Sequence, residues 1–130
     1  MSADAFQYAP DKRAALAEIA RVLRGGGRLV IFTFELDPSR CARLPVLDSD
    51  PVSDYRGLLE GAGFRVVSYQ ETAGWRDRLE SAYRAIVAAG SALTAEMGKM
   101  AARALLMETA LTLEYQPYCG RVLIVAEKSK

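Results

Sequence analysis

Histidine is absent from this 130-residue chain. Its absence excludes Ser-His-Asp and Cys-His catalysis, and the common zinc ligand sets with them. Cysteine is nearly absent too: Cys41 and Cys119 fit a reduced, cytoplasmic chain better than a disulfide framework, and they are not expected to pair. Neither sign of charge dominates, with 17 Lys and Arg against 16 Asp and Glu. A polyanion partner needs a basic stripe, so nucleic acid is excluded. No apolar run reaches the roughly 18 residues of a membrane span. Met1–Pro10 lacks the basic start and apolar centre of a signal peptide. There are no repeats, no low-complexity linkers and no metal-ligand cluster. What remains is a globular composition, 51% hydrophobic and 25% charged. A single domain is expected over 1–130, hiding about two-thirds of its unfolded surface.

The most informative stretch is Ala14–Glu35. Leu16, Ile19, Ala20 and Leu23 recur at i, i+3, i+4 and i+7, which predicts a helix with one apolar face over about Asp11–Arg24. Pro10-Asp11 suits its start. Gly25-Gly26-Gly27 suits its end, because glycine takes a left-handed cap at little steric cost. Leu29-Val30-Ile31-Phe32 then runs apolar without alternating, which predicts a strand, Arg28–Glu35, covered on both faces. Helix, glycine loop and buried strand make half of an α/β unit.

That run, AALAEIARVLRGGGRLVIFTFE, resembles class I S-adenosylmethionine (SAM)-dependent methyltransferases around their fourth helix and fifth strand. The family usually has Pro before two glycines, where this chain has Gly25. SADAFQYAPD resembles the segment leaving strand four, DYRGLLEGAGFRVV the next helix and strand, and RVLIVAEK the final strand. Residues 2–70 and 121–128 are covered in the family's order. The resemblance implies an α/β fold: a partial Rossmann-like methyltransferase sheet of the last three strands. The final strand, Arg121–Glu127, would lie antiparallel between Arg28–Glu35 and Phe64–Glu71. Methyl transfer from a sulfonium, the family's chemistry, is helped chiefly by proximity and orientation, and the lack of histidine does not exclude it.

Elsewhere the residues speak for themselves. Pro38, Pro45 and Pro51 break Leu36–Pro51 into a loop. A short helix over Val52–Gly61 would turn Tyr55, Leu58, Leu59 and Ala62 inward, with Asp50 or Ser53 as its cap. Strand Phe64–Glu71 alternates poorly and suits an edge. Gly74–Leu113 matches no family motif and carries two helical patterns. The first is Trp75, Leu79, Ala82, Tyr83 and Ile86; the second is Leu93, Met97, Met100, Ala104, Met107 and Leu111. A methionine stripe of that spacing is more often core than binding surface. Residues 74–113 form a helical insert between the last two strands, a candidate lid. Val122–Ala126 is apolar throughout and predicts an interior strand, followed by a polar tail.

Ligands of open α/β sheets bind at the carboxyl ends of the strands. The candidates at that edge are Asp4, Tyr8 and Glu35 as proton acceptors, because no histidine can take the role. Glu35 also reads as a solvated strand end. Ser2, Ala3 and Phe6 would wall the cofactor, and Met1–Ala9 reads equally as a frayed loop. Thr33, Trp75, Tyr83 and Tyr115 are candidates for an aromatic substrate pocket, with Trp75 and Tyr83 equally readable as core. The family's glycine-rich cofactor turn and ribose-binding acid are not found, so the chain resembles the carboxyl-terminal half, binding SAM weakly or not at all alone. Two functions follow. One is the substrate-side half of a methyltransferase acting on a small-molecule acceptor. The other is a non-catalytic, truncated α/β module. An apolar sheet edge at Leu29–Phe32 would be open in either case, so a homodimer, or a chain supplying the missing half, is the expected partner.

Overall fold

A computed structural model describes residues 1–40 and 50–130. Cys41 and Pro45 lie outside the described residues. The described chain forms two compact units, 1–72 with 118–130, and 73–117. The first holds strand β1 (Ser2–Ala3), helix α1 (Lys12–Val22), strand β2 (Arg28–Leu36), helix α2 (Arg56–Gly61), strand β3 (Phe64–Glu71) and strand β4 (Cys119–Lys128). The second holds helices α3 (Trp75–Ala88), α4 (Gly90–Met97) and α5 (Lys99–Tyr115).

The sheet order is β1-β2-β4-β3. β4 pairs antiparallel with β2 from Arg28↔Glu127 to Leu36↔Cys119, and antiparallel with β3 from Phe64↔Lys128 to Glu71↔Val122. The expected insertion of the last strand between the other two is therefore observed, and β3 is an edge strand as its poor alternation suggested. A register shift between Val66 and Ser68 interrupts β3, a bulge of the kind that edge strands carry.

Leu16 of α1 and Leu59 of α2 pack with Leu29, Ile31, Phe64, Val122, Ile124 and Ala126 on one sheet face. The other face differs from expectation. Val30, Phe32, Phe34 and Val125 are only half-buried, and Leu123 is 41% exposed. The apolar run of β2 thus has one sealed face and one partly open face, because α1 and α2 share the same side. The amino-terminal loop is also more ordered than expected. Ser2 and Ala3 pair parallel with Ile31 and Phe32, and the Asp4 amide donates to the Phe32 carbonyl at 2.9 Å. The edge beside β2 is therefore paired over part of its length.

Several ends are made differently from the sequence reading. α1 stops at Leu23, which turns extended (φ −77°, ψ 137°), before the glycines begin. The glycines instead form the turn into β2: Gly27 donates to the Arg24 carbonyl at 2.9 Å, and Gly26 sits at φ +74°, as a left-handed turn position requires. Asp11 caps α1 by accepting from the Ala14 amide at 2.8 Å. Asp50, a candidate cap for α2, instead accepts from the Lys12 amide at 3.0 Å. The supposed polar tail closes the other end of α1: Lys128 Nζ donates to the carbonyls of Ala20 and Leu23 at 2.5 and 2.6 Å.

In the second unit, the second helical pattern is broken at Gly98 (φ +85°) into α4 and α5. Its methionine stripe is not core. Met97, Met100 and Met107 are 44%, 85% and 57% exposed, while α5 buries Ala102, Thr109 and Tyr115. Thr109 lies two residues from Met107, on the other side of the helix. Among the described residues, no helix is long and apolar enough to cross a membrane.

A cation on the last carbonyls of a helix satisfies orphan acceptors and opposes the helix dipole. Replacing Lys128 with Met should therefore cost about 1.5–3 kcal/mol, the usual range for hydrogen bonds to charged groups. Urea unfolding followed by circular dichroism would measure it, and an unchanged midpoint would show that the α1 terminus is satisfied by solvent.

Candidate functional site

The carboxyl ends of β1, β2 and β3 lie at one sheet edge, and the antiparallel β4 brings its amino end to the same place. Phe34 therefore faces Arg121, and Glu35 faces Gly120. Two polar clusters form at this edge.

The first is centred on Glu35. The Tyr69 hydroxyl donates to the Glu35 carboxylate and accepts from the Tyr55 amide at 3.1 Å. The Tyr55 hydroxyl donates to the Phe34 carbonyl at 3.0 Å. Arg56 lies over the Tyr69 ring at 3.8 Å and pairs with Asp54 at 2.9 Å. Gly120 leaves room for the carboxylate: a Cβ there would meet Glu35 Oε2 at 2.8 Å. Burial raises the Glu35 pKa. The Tyr69 hydrogen bond and Arg56 oppose that rise, while Asp54 and Glu71 add to it. Burial also pushes the Tyr55 hydroxyl up to about 12, and burial with the Glu35 bond raises Tyr69 further. Both tyrosines stay protonated at neutral pH and act as donors. Asp54 is pushed up by its partial burial, but hydrogen bonds from the Arg56 amide and guanidinium hold it below the usual carboxylate range.

The second cluster lies on the other sheet face. Arg121 Nη2 bonds Asp4 Oδ2 at 2.5 Å. The guanidinium rests 4.3 Å from the Phe32 ring centre and 5.1 Å from that of Phe34, and its buried Nε has no hydrogen-bond partner among the described residues. Asp4 adopts φ +49°, a left-handed backbone that non-glycine residues rarely take and that Asp tolerates better than most. Beside the edge, a cleft of about 560 Å³ is lined by Pro10, Asp11, Arg13, Pro38 and residues 50–54 with Leu58. Its Asp11 and Asp50 carboxylates are committed to the amino end of α1.

The candidates fall as follows. Glu35 and Asp4 stand at the edge, one in each cluster, and Tyr8 stays 49% exposed on the short 3-10 turn Phe6–Tyr8. Thr33 is completely buried and donates to Gln7 Oε1 at 3.0 Å, which places it behind the site's surface. Phe6 is 5% exposed and meets Tyr55 edge-on at 5.9 Å, so it lies in the core. Ser2 and Ala3 are held in β1. Trp75, Tyr83 and Tyr115 all belong to the second unit. Trp75 and Tyr115 are buried there, Tyr83 is half-buried, and the Arg76 guanidinium covers Trp75 at 4.6 Å. The sequence reading missed Tyr69, Tyr55, Asp54, Arg56 and Arg121. The available signals were Arg121, a single cation opening an apolar strand, and the two tyrosines within a short helix-strand unit.

No family model matches the chain. The O-methyltransferase cnsE of Penicillium expansum is 35% identical over 127 residues, covering 91% of this chain and 43% of that protein. The [4+2]-cyclase SpnF superposes with a TM-score of 0.77 at 19% identity, covering 98% of this chain and 48% of the other. A putative sarcosine dimethylglycine methyltransferase from Galdieria sulphuraria gives 0.74 at 21%, covering 97% and 51%. A mycolic acid cyclopropane synthase complexed with S-adenosylhomocysteine gives 0.72 at 13%, covering 97% and 53%. The chain has the class I SAM-dependent methyltransferase fold. It spans less than half the length of the curated methyltransferase it matches.

The raised Glu35 pKa has a signed consequence. A carboxyl whose folded pKa lies above its unfolded value contributes stability below the unfolded pKa, and loses it as pH rises through the folded one. Glu35→Gln should therefore be more stable than the native chain at pH 7.5, with the advantage shrinking towards pH 4. Urea midpoints at the two pH values would show it, and equal differences at both would mean that Glu35 titrates normally.

Proposed function

We propose that this chain supplies the acceptor side of a SAM-dependent methyltransferase that methylates a hydroxyl group of a small molecule. The 35% identity to an O-methyltransferase over nearly the whole chain carries the reading. The edge geometry supports it. O-methylation must remove a hydroxyl proton, and Glu35 is a carboxylate with a raised pKa, held in one orientation by Tyr69 and given space by Gly120. A base nearer the working pH is the better proton acceptor. The cleft ending at Asp54 is of the size that small-molecule sites have, and Asp54 adjoins the same Tyr69.

SAM is the methyl donor of this reading, but the described residues do not cradle it. A cradle requires a glycine-rich turn that opens a helix at the carboxyl edge. Gly25–Gly27 instead follows α1 and enters β2 at the opposite edge. A Cβ on Gly27 would strike the Arg24 carbonyl at 2.8 Å, so the turn itself demands that glycine. Ser2, Ala3 and Asp4 offer one wall and no more.

Titration calorimetry of this chain with SAM should accordingly show no micromolar binding. Mixed with the amino-terminal half of the Penicillium relative, the chain should transfer labelled methyl groups to phenols or alcohols. Glu35→Gln in that mixture should lower kcat about 10²–10⁴-fold with little change in KM. Transfer to amines alone would overturn the hydroxyl assignment. No transfer to either class would favour a non-catalytic module that only associates with a partner.

A further inference from the structure

One helix of the second unit turns an apolar stripe outward. Met100 and Met107 are 85% and 57% exposed, Ala104 is exposed and Leu111 is half-buried. These residues stand at i, i+4, i+7 and i+11 of α5, within an arc of about 60°. The unit's own buried residues on this helix, Ala102, Thr109 and Tyr115, are different ones. Contiguous exposed apolar side chains of this kind mark an interaction surface.

The spacing indicates the partner. Intervals of four, three and four read the same from either end, so the stripe is symmetric about the midpoint between Leu105 and Leu106. A two-fold axis at that point lays a second copy antiparallel on the first. Met100 then faces Leu111 of the second copy, and Ala104 faces Met107 of the second copy, a small side chain against a large one. This is the self-complementarity that an isologous interface requires. The charges agree with the direction. Lys99 and Glu114 are exposed and lie on the same flank of the stripe. The axis preserves flank and reverses height, so Lys99 of one copy lies within about 3 Å, two residues of helical rise, of the level of Glu114 of the other. The like charges that this pairing brings to one flank, Arg103 with Arg103 beside Lys99 and Glu108 with Glu108 on the opposite flank, are each offset by about 7.5 Å along the axis, in solvent that screens them.

We propose that α5 is a self-association face through which two copies of this chain pair antiparallel about the Leu105–Leu106 midpoint. The contact is one helix of about 25 Å from each copy, so the dimer is a weak, concentration-dependent one. The apolar stripe supplies affinity, and the Lys99–Glu114 pairs supply direction more than strength.

Sedimentation of the full chain at about 1–100 μM tests this. The mass should rise towards twice 14.2 kDa with concentration. Met107→Glu should hold the chain at the monomer mass with an unchanged circular dichroism spectrum. Met100→Glu, at a still more exposed position, should do the same if the first variant folds poorly. Lys99→Glu should weaken the dimer several-fold, and adding Glu114→Lys should restore it. A native chain that stays monomeric throughout would overturn the proposal. So would a dimer that survives Met107→Glu and Met100→Glu, which would place the contact elsewhere, such as the sheet edge beside β1. A double charge swap that fails to restore the dimer would refute the antiparallel register.

Discussion

The insertion of β4 between β2 and β3 is the constraint from which the rest follows. β2 and β3 never pair with each other. Each needs β4 for its ladder, and each depends on the same three residues, Val122, Ile124 and Ala126, to complete its buried face. The interleaving also sets the site. Because β4 runs against its neighbours, its first residues arrive where theirs end. Gly120 therefore makes room for Glu35, and Arg121 reaches Asp4. Lys128, at the far end of the same strand, closes α1. One ten-residue strand fixes both ends of the sheet and one end of a helix.

The edge that results separates two kinds of electrostatics. On the helix-covered face, Glu35 sits among tyrosines that cannot ionise near neutral pH, and its charge is held by hydrogen bonding against the cost of burial. On the other face, the Arg121 guanidinium lies against two phenylalanine rings and is tied to Asp4. The sheet, one residue thick, keeps the carboxyl whose pKa is raised apart from that ion pair. Period-two alternation along β2 and β4 accomplishes this, with Thr33 and Glu35 on one side and Phe34 on the other.

The fold was largely legible because its signals are local or ordered. The stripe of α1, the apolar runs of β2 and β4, and the sequence of pieces are all visible without contacts. The errors have a common source in partners distant along the chain. Asp50 is one of two candidate caps, with Ser53, for the helix that follows it, and it binds the start of the one before. Lys128 looked like a free tail and is a cap. The methionines of α5 have core spacing, but the face that the unit buries is another one, which periodicity alone does not reveal. At the site, strand direction puts Glu35 and Asp4 at the carboxyl edge, where the structure also has them. The contacts of Tyr69 and Arg121 are not visible in the same way, because they arise from register across strands.

The chain order of the sheet also governs how it can be made. β2 and β3 leave the ribosome before the strand that joins them, and the whole second unit is synthesised in between. At roughly 5–20 residues per second, that interval is on the order of several seconds. Helices α3–α5 rest on short-range contacts and can form while the nascent chain waits. Until then β2 lacks β4 as a neighbour, and its Phe32 and Phe34 have no Arg121 above them. Synthesis thus passes through a stage in which the helical unit is ready and the sheet is an unclosed, sticky precursor. That window is when a chaperone would find most to hold.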